Sequence, residues 1–182
     1  MPAAHRSVAA HSTVRALYAK YNGPLYNVTK PDGTSKQIGL LSAGGFADKK
    51  AHDEFCVKLD CVISNVFDQS PQKNHLGQRH GLINASRHSI TVGPDKTPVY
   101  GMWFDPGFGY HVDNTTGIAT GNDPESIYAV MSGKNYNGGC CFVRAVPPSA
   151  RSWRRAQSAL LTVSSSAHST AAAAAPCVWC TS

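Results

Sequence analysis

The sequence predicts an all-β sandwich, and three observations carry that expectation. Residues 61–67, 97–104 and 126–131 are runs of apolar and β-branched side chains. Each run is closed by turn formers: Asp68-Gln-Ser-Pro71, Asp105-Pro-Gly107 and Ser132-Gly-Lys-Asn-Tyr-Asn-Gly-Gly139. The composition agrees: 16 Gly, 11 Pro and only 15% charged residues suit short strands joined by loops better than helices. Turn signals at this frequency fit a sandwich.

Two short helices are expected beside the strands. Val14, Leu17, Tyr18 and Tyr21 fall at helical spacing; Ser12 or Thr13 is placed to cap such a helix, and Gly23-Pro24 to end it. A second covers residues 48–56. Past Phe142 the character changes. Residues 143–182 contain ten Ala, eight Ser and four Arg, with no Gly, Asp or Glu. This tail reads either as a disordered Ala/Ser segment or as sequence translated out of frame.

Charge and hydropathy exclude some classes of function. The formal charge is +6, but Arg144, Arg151, Arg154 and Arg155 place +4 of it in the tail. The other 142 residues hold 13 basic and 11 acidic groups and form no basic stripe, which argues against nucleic acid as a partner. No apolar run approaches the roughly 20 residues that span a bilayer, so no membrane partner is expected. Residues 1–10 carry no apolar stretch of signal-peptide length. Taken literally, such a chain stays in the cytosol.

The chemistry-bearing residues are few. Adjacent Cys140 and Cys141, in a Gly-rich loop, read either as a vicinal disulfide presenting a rigid sulfur surface at a cleft or as two unrelated thiols. Cys56 and Cys61 are close enough for a short-loop disulfide if the chain turns, and are otherwise free thiols. Cys177-Val-Trp-Cys180 has no partner pair at zinc-ligand spacing, so neither metal nor cofactor is expected. Asn27, Asn84 and Asn114 each begin an Asn-x-Ser/Thr glycosylation sequon. His52, His75, His80, His88 and His111 lie in polar contexts, mostly exposed by expectation, and form no triad. Asp68, Asp105 and Asp113 sit beside turns, where Asp caps backbone groups. A retaining glycosidase needs two carboxyl groups about 5 Å apart, and no such pair stands out, so no catalytic residue is assigned.

Read together, several stretches resemble a known family. These are residues 7–18 and 21–28, Phe55-Cys56 to Cys61, Phe67-Asp-Gln-Ser70 with Asn74-His-Leu76, and Gly107-Phe-Gly-Tyr110. Gly117-Ile-Ala-Thr-Gly121, Ile127-Tyr-Ala-Val130 and Tyr136-Asn-Gly-Gly-Cys-Cys-Phe142 follow. In this order they are similar to the start of the catalytic domain of the secreted fungal-type α-L-arabinofuranosidases of glycoside hydrolase family 54. The resemblance implies a concanavalin-like jelly-roll sandwich over residues 7–142, incomplete here, and a Cys56–Cys61 disulfide. It also implies a vicinal Cys140–Cys141 disulfide touching an arabinose ring. The family removes terminal α-L-arabinofuranosyl groups from arabinan and arabinoxylan with retention, so arabinose-containing plant polysaccharides are the implied partners. A secreted monomer is the implied form.

The departures are as informative. Ser7 stands where the family has a cysteine, and no signal peptide precedes it. Beyond Phe142 the likeness ends, no Asp or Glu follows Glu125, and the family's catalytic Glu and Asp and its arabinose-binding β-trefoil domain have no counterpart. The expectation is an inactive fragment of such an enzyme, aggregation-prone through exposed strands such as residues 99–104. The alternative is a non-catalytic sugar-binding sandwich. The tail at 143–182 is expected to pack poorly.

Overall fold

A computed structural model describes residues 7–57, 60–105 and 108–131. The strands are β1 (Tyr26–Thr29), β2 (Ser35–Ile38), β3 (Val62–Val66), β4 (Leu76–His80), β5 (Ile83–Asn84), β6 (His88–Val92), β7 (Thr97–Gly101) and β8 (Gly109–His111). One helix, α1 (Lys49–Phe55), stands between β2 and β3. A six-stranded antiparallel sheet runs β2-β1-β3-β4-β8, with β5 also paired to β3, and β6 and β7 form a separate hairpin. Antiparallel layers enclosing one core are what the sequence predicts. The sandwich is lopsided, because α1 and the hairpin together supply the second layer.

Alternation sets the register. Along β1, Tyr26 and Val28 are buried while Asn27 and Thr29 are half-buried. Tyr26 pairs with Ile38 and Val66, and Val28 with Ile63, so all five side chains point into the core. Leu76 and Tyr110 continue the same face across β4 and β8. Burying each such aliphatic chain is worth about 1.5–3 kcal/mol. A one-residue slip would expose the set, so the pattern fixes the pairing. A bulge between Asn27 and Val28 gives β3 one extra residue, Ser64, at this point. The β1–β2 turn is Pro31-Asp32-Gly33: Gly33 takes φ +85°, and Asp32 accepts from the Thr34 amide at 2.8 Å.

The helix α1 forms where the sequence places it. Asp48 caps it by accepting from the Ala51 amide at 2.9 Å, and Lys49–Asp53 pairs one turn apart at 2.5 Å. The chain then turns into β3 through the Cys56–Cys61 disulfide, with Cα atoms 5.7 Å apart.

Two predicted elements do not form, and two exposure expectations fail. Residues 14–21 are not a helix. Ser12 Oγ does accept from the amides of Val14 (3.1 Å) and Arg15 (3.2 Å), as an N-cap would. The next amides, however, bond to distant groups: Ala16 to Gly45 O at 2.8 Å and Leu17 to Gln69 Oε1 at 2.6 Å. The segment is an irregular strap that bends at Leu17 and Tyr18 and ends in a turn closed by Tyr21 N to Tyr18 O at 3.1 Å. Residues 126–131 are not a strand either, because no described strand edge meets them, and Tyr128 is 78% exposed. Residues 99–102, expected to be exposed, are buried by β7 packing into the core. His52, expected to be solvated, is fully buried, and His75, His88 and His111 are half-buried.

Candidate functional site

The most densely bonded polar cluster gathers around Asp68, just past β3. Its carboxylate accepts from the amides of Ala10 (2.7 Å), Ser70 (2.8 Å) and Asn74 (2.8 Å) and from Ser70 Oγ (2.6 Å). The Asp68 amide donates to His75 Nδ1 at 2.9 Å. Asn74 extends the clamp: its side-chain amide donates to Val8 O and Thr116 O, and its Oδ1 accepts from the Thr116 amide. His11 Nε2 lies 2.7 Å from Asn74 O. The buried Asp68 carboxylate ties Ala10 to the 68–74 loop, and Asn74 carries the tie on to Thr116. The carboxylate's lone pairs are filled by fixed donors, which suits a structural anchor and leaves no room for a nucleophile.

The second cluster surrounds His52 on α1. Tyr26 Oη lies 2.9 Å from Nδ1 and Ser86 Oγ 3.1 Å from Nε2, and the Tyr100 ring lies 4.5 Å away between centroids. A neutral imidazole satisfies both hydroxyls. Burial, with help from the Lys49 charge, lowers the His52 pKa to about 4 against the pull of Asp53. Burial likewise lowers His11 and His75. At Asp53, burial works to raise the pKa, but the hydrogen bonds from Lys49 and Tyr100 outweigh it and hold the carboxyl below its usual value.

Five further carboxylates also have structural partners. Asp48 caps α1, Asp32 closes the β1–β2 turn, and Asp105 pairs with Arg87 and accepts from Trp103 Nε1. Asp113 lies 3.1 Å from His111 Nε2, and Asp60 accepts from Asn84. Among the described residues no His, Cys, Asp or Glu group is placed to hold a metal ion. No helix among them is long and apolar enough to cross a membrane.

The predicted site residues divide three ways. Cys56 and Cys61 form their disulfide. Cys140 and Cys141 lie outside the described residues, as does the tail. The three sequons fall in different settings. Asn114 is exposed on a loop. Asn84 is engaged on both sides, donating to Asp60 and accepting from the Ser86 amide. Asn27 is half-buried on the face of β1 opposite the core. Sequence reasoning missed the clamp partners Asn74 and His11 and an open apolar cleft of about 350 Å³ lined by Tyr18, Tyr21, Gln69 and Pro71. The signal for the clamp was present in Asp68-Gln-Ser70 followed by Asn74-His-Leu76, but the bonded strap lies some 60 residues upstream.

The class of protein follows from comparison with known proteins. Residues 3–146 match the family profile "Alpha-L-arabinofuranosidase B, catalytic". A probable α-L-arabinofuranosidase B of Aspergillus terreus and the α-L-arabinofuranosidase B of Emericella nidulans are each 44% identical over 149 residues, covering 74% of this chain. The fold resembles an arabinofuranosidase crystallised with arabinofuranosyl-α-1,2-xylobiose and a GH54 α-L-arabinofuranosidase soaked with a cyclic sulfate inhibitor. Each has TM-score 0.60 and 38% identity over 63% of this chain and 26% of the solved chain. The domain is therefore of glycoside-hydrolase descent. It belongs to the α-L-arabinofuranosidase B catalytic-domain family. The chain spans 29% of the length of the two curated relatives.

Proposed function

We propose that residues 7–142 are the N-terminal part of the catalytic domain of a secreted arabinofuranosidase, followed by an Ala/Ser/Arg-rich segment at 143–182. The enzyme of this family removes terminal α-L-arabinofuranosyl groups from arabinan and arabinoxylan with retention, and this polypeptide contributes scaffold to it. Cys140 and Cys141 form a vicinal disulfide against the arabinose ring. Asn27, Asn84 and Asn114 carry N-linked glycans.

The observation that carries the reading is the family match over residues 3–146, combined with what the carboxylates do. Retaining hydrolysis needs one carboxylate as nucleophile and a second carboxyl as acid, then base. Asp68, Asp105 and Asp113 all hold structural partners instead. The catalytic Glu and Asp of the family fall beyond Phe142 and have no counterpart here, so we read the 182-residue chain on its own as a scaffold without turnover.

The test is hydrolysis of an aryl α-L-arabinofuranoside by the purified chain, with no cleavage above background expected. A version continued past Phe142 in the family's reading frame should gain activity. Turnover by the 182-residue chain that is abolished by an Asp or Glu substitution within residues 1–125 would overturn the assignment.

A further inference from the structure

We propose that the core sugars of a glycan on Asn27 lie flat on the outer face of the large sheet and serve as its cover. This rests on the secreted reading above and adds what the glycan does. The two faces of this sheet differ sharply in chemistry. Inward stand Tyr26, Val28, Ile38, Ile63 and Val66, all buried. Outward, Asn27 pairs across the strands with Gln37 on one side and Asn65 on the other, giving a row of three carboxamides. Beside it runs a hydroxyl row: Thr29 Oγ1 lies 2.8 Å from Ser35 Oγ and donates to Ser64 Oγ at 2.8 Å.

These six side chains are uncharged, and all are hydrogen-bonding groups. Within each row neighbours stand about 4.8 Å apart, the strand spacing; with Val62, paired to Thr29, as an aliphatic neighbour on the same face, these polar rows suit a polyhydroxylated ligand. The side-chain amide of Asn27 makes no hydrogen bond among the described residues, whereas that of Asn84 donates to Asp60 at 3.3 Å. Asn27 is thus the sequon on a strand whose side-chain amide is unbonded among the described residues and is flanked by carboxamides on both neighbouring strands. Its sequon threonine, Thr29, is itself part of the hydroxyl row. An N-acetylglucosamine on Asn27 would meet Gln37 and Asn65 on the neighbouring strands.

The experiment uses the full chain made through a fungal secretory pathway, with peptide mass mapping of each sequon. Glycan is expected at Asn27, Asn84 and Asn114, and the comparison that decides is between Asn27 and Asn114. An amide-cleaving glycosidase applied to native protein should release the Asn114 glycan several-fold faster than the Asn27 glycan, and unfolding in urea should make the rates equal. Replacing Gln37→Ala with Asn65→Ala should speed release at Asn27 alone. A double variant that fails to fold would release both sites quickly, and the wild-type rate ratio then decides. Asn114 occupied with Asn27 bare overturns this inference and leaves the secreted reading intact. Both sites bare overturns both. Equal native rates, or protection at Asn27 that disappears on dilution and so reports a second copy on the face, overturn the inference alone.

Discussion

Residues 8–16 and residues 122–131 are both without helix or strand, yet they end in opposite states. In the first, Ala10, His11, Thr13, Val14 and Ala16 are buried. In the second, Ile127 is 50% and Tyr128 78% exposed. Apolar content differs little between them, five residues of nine in the first and five of ten in the second, so it does not by itself explain the difference. What separates them is where their backbone groups go. The strap sends Ala10 N to Asp68, Ala16 N to Gly45 O and Leu17 N to Gln69, and receives Ala47 N at Val14 O. Irregular backbone becomes buried when fixed partners meet its polar groups, and otherwise stays in solvent.

The largest expected effect breaks the strap at its anchor. Asp68→Ala removes the acceptor for three amides and one hydroxyl, leaving buried donors without partners. The cost is expected to be about 3–5 kcal/mol. Against a total stability of about 5–15 kcal/mol, the urea midpoint should fall steeply or the cooperative transition should vanish. A midpoint within error of the parent would mean that the clamp does not hold the strap.

Acid should act on the same side of the comparison through His52. Its folded pKa is about 4 against an ordinary 6.5. Above pH 6.5 the ring is neutral in both states and its titration contributes nothing. As pH falls below 6.5 the unfolded chain binds a proton that the folded chain excludes, so stability drops until about pH 4, where both states are charged. The loss across this window is about 2–3 kcal/mol. His11 and His75, also lowered by burial, add to it with the same sign. Urea midpoints at pH 7, 5.5 and 4.5 test the slope, and His52→Gln should flatten it.

How much was legible follows from the range of each signal. The helix α1, β3 and β7 were readable because period and turn signals lie within a few residues of one another. The strap misled because Val14, Leu17, Tyr18 and Tyr21 satisfy a helical period, while the partners that take up its amides are some 30 to 60 residues away. Residues 126–131 misled in the opposite way, since apolar content says nothing about whether a strand edge is there to meet them. His52 looked polar in sequence because its neighbours Lys49, Asp53 and Glu54 are, and only the fold reveals that it faces Tyr26 and Tyr100. At the site, Asp68 was correctly read as a turn Asp, but its reach to Ala10 was not readable.

The disulfide offers a smaller and cleaner test, because it closes a loop of only a few residues between α1 and β3. Constraining so short a loop in the unfolded chain is worth about 2 kcal/mol. The double variant Cys56→Ser with Cys61→Ser should lose about that much at constant m-value. It should leave the Asp68 clamp in place, so His75 exchange and strap proteolysis stay as in the parent. A loss of strap protection on removing the disulfide would show that the two tethers are one cooperative unit.

The smallest effect belongs to the exposed segment, and it is the sharpest check on the comparison. Ile127→Ser with Tyr128→Ser changes side chains already half or more in solvent, so unfolding free energy should move by no more than about 0.5 kcal/mol. Self-association should respond differently. Ile127, Tyr128 and Met131 place exposed apolar surface within five residues of one another, and such surface favours association. The double variant should therefore stay monomeric at concentrations where the parent aggregates, with its urea midpoint unchanged. The same outcome is not expected from Val99→Ser, because Val99 is fully buried. That change should cost stability and increase aggregation by exposing the core. If the Ile127/Tyr128 variant instead lost several kcal/mol, residues 122–131 would be held as firmly as the strap, and their exposure would not describe the protein in solution.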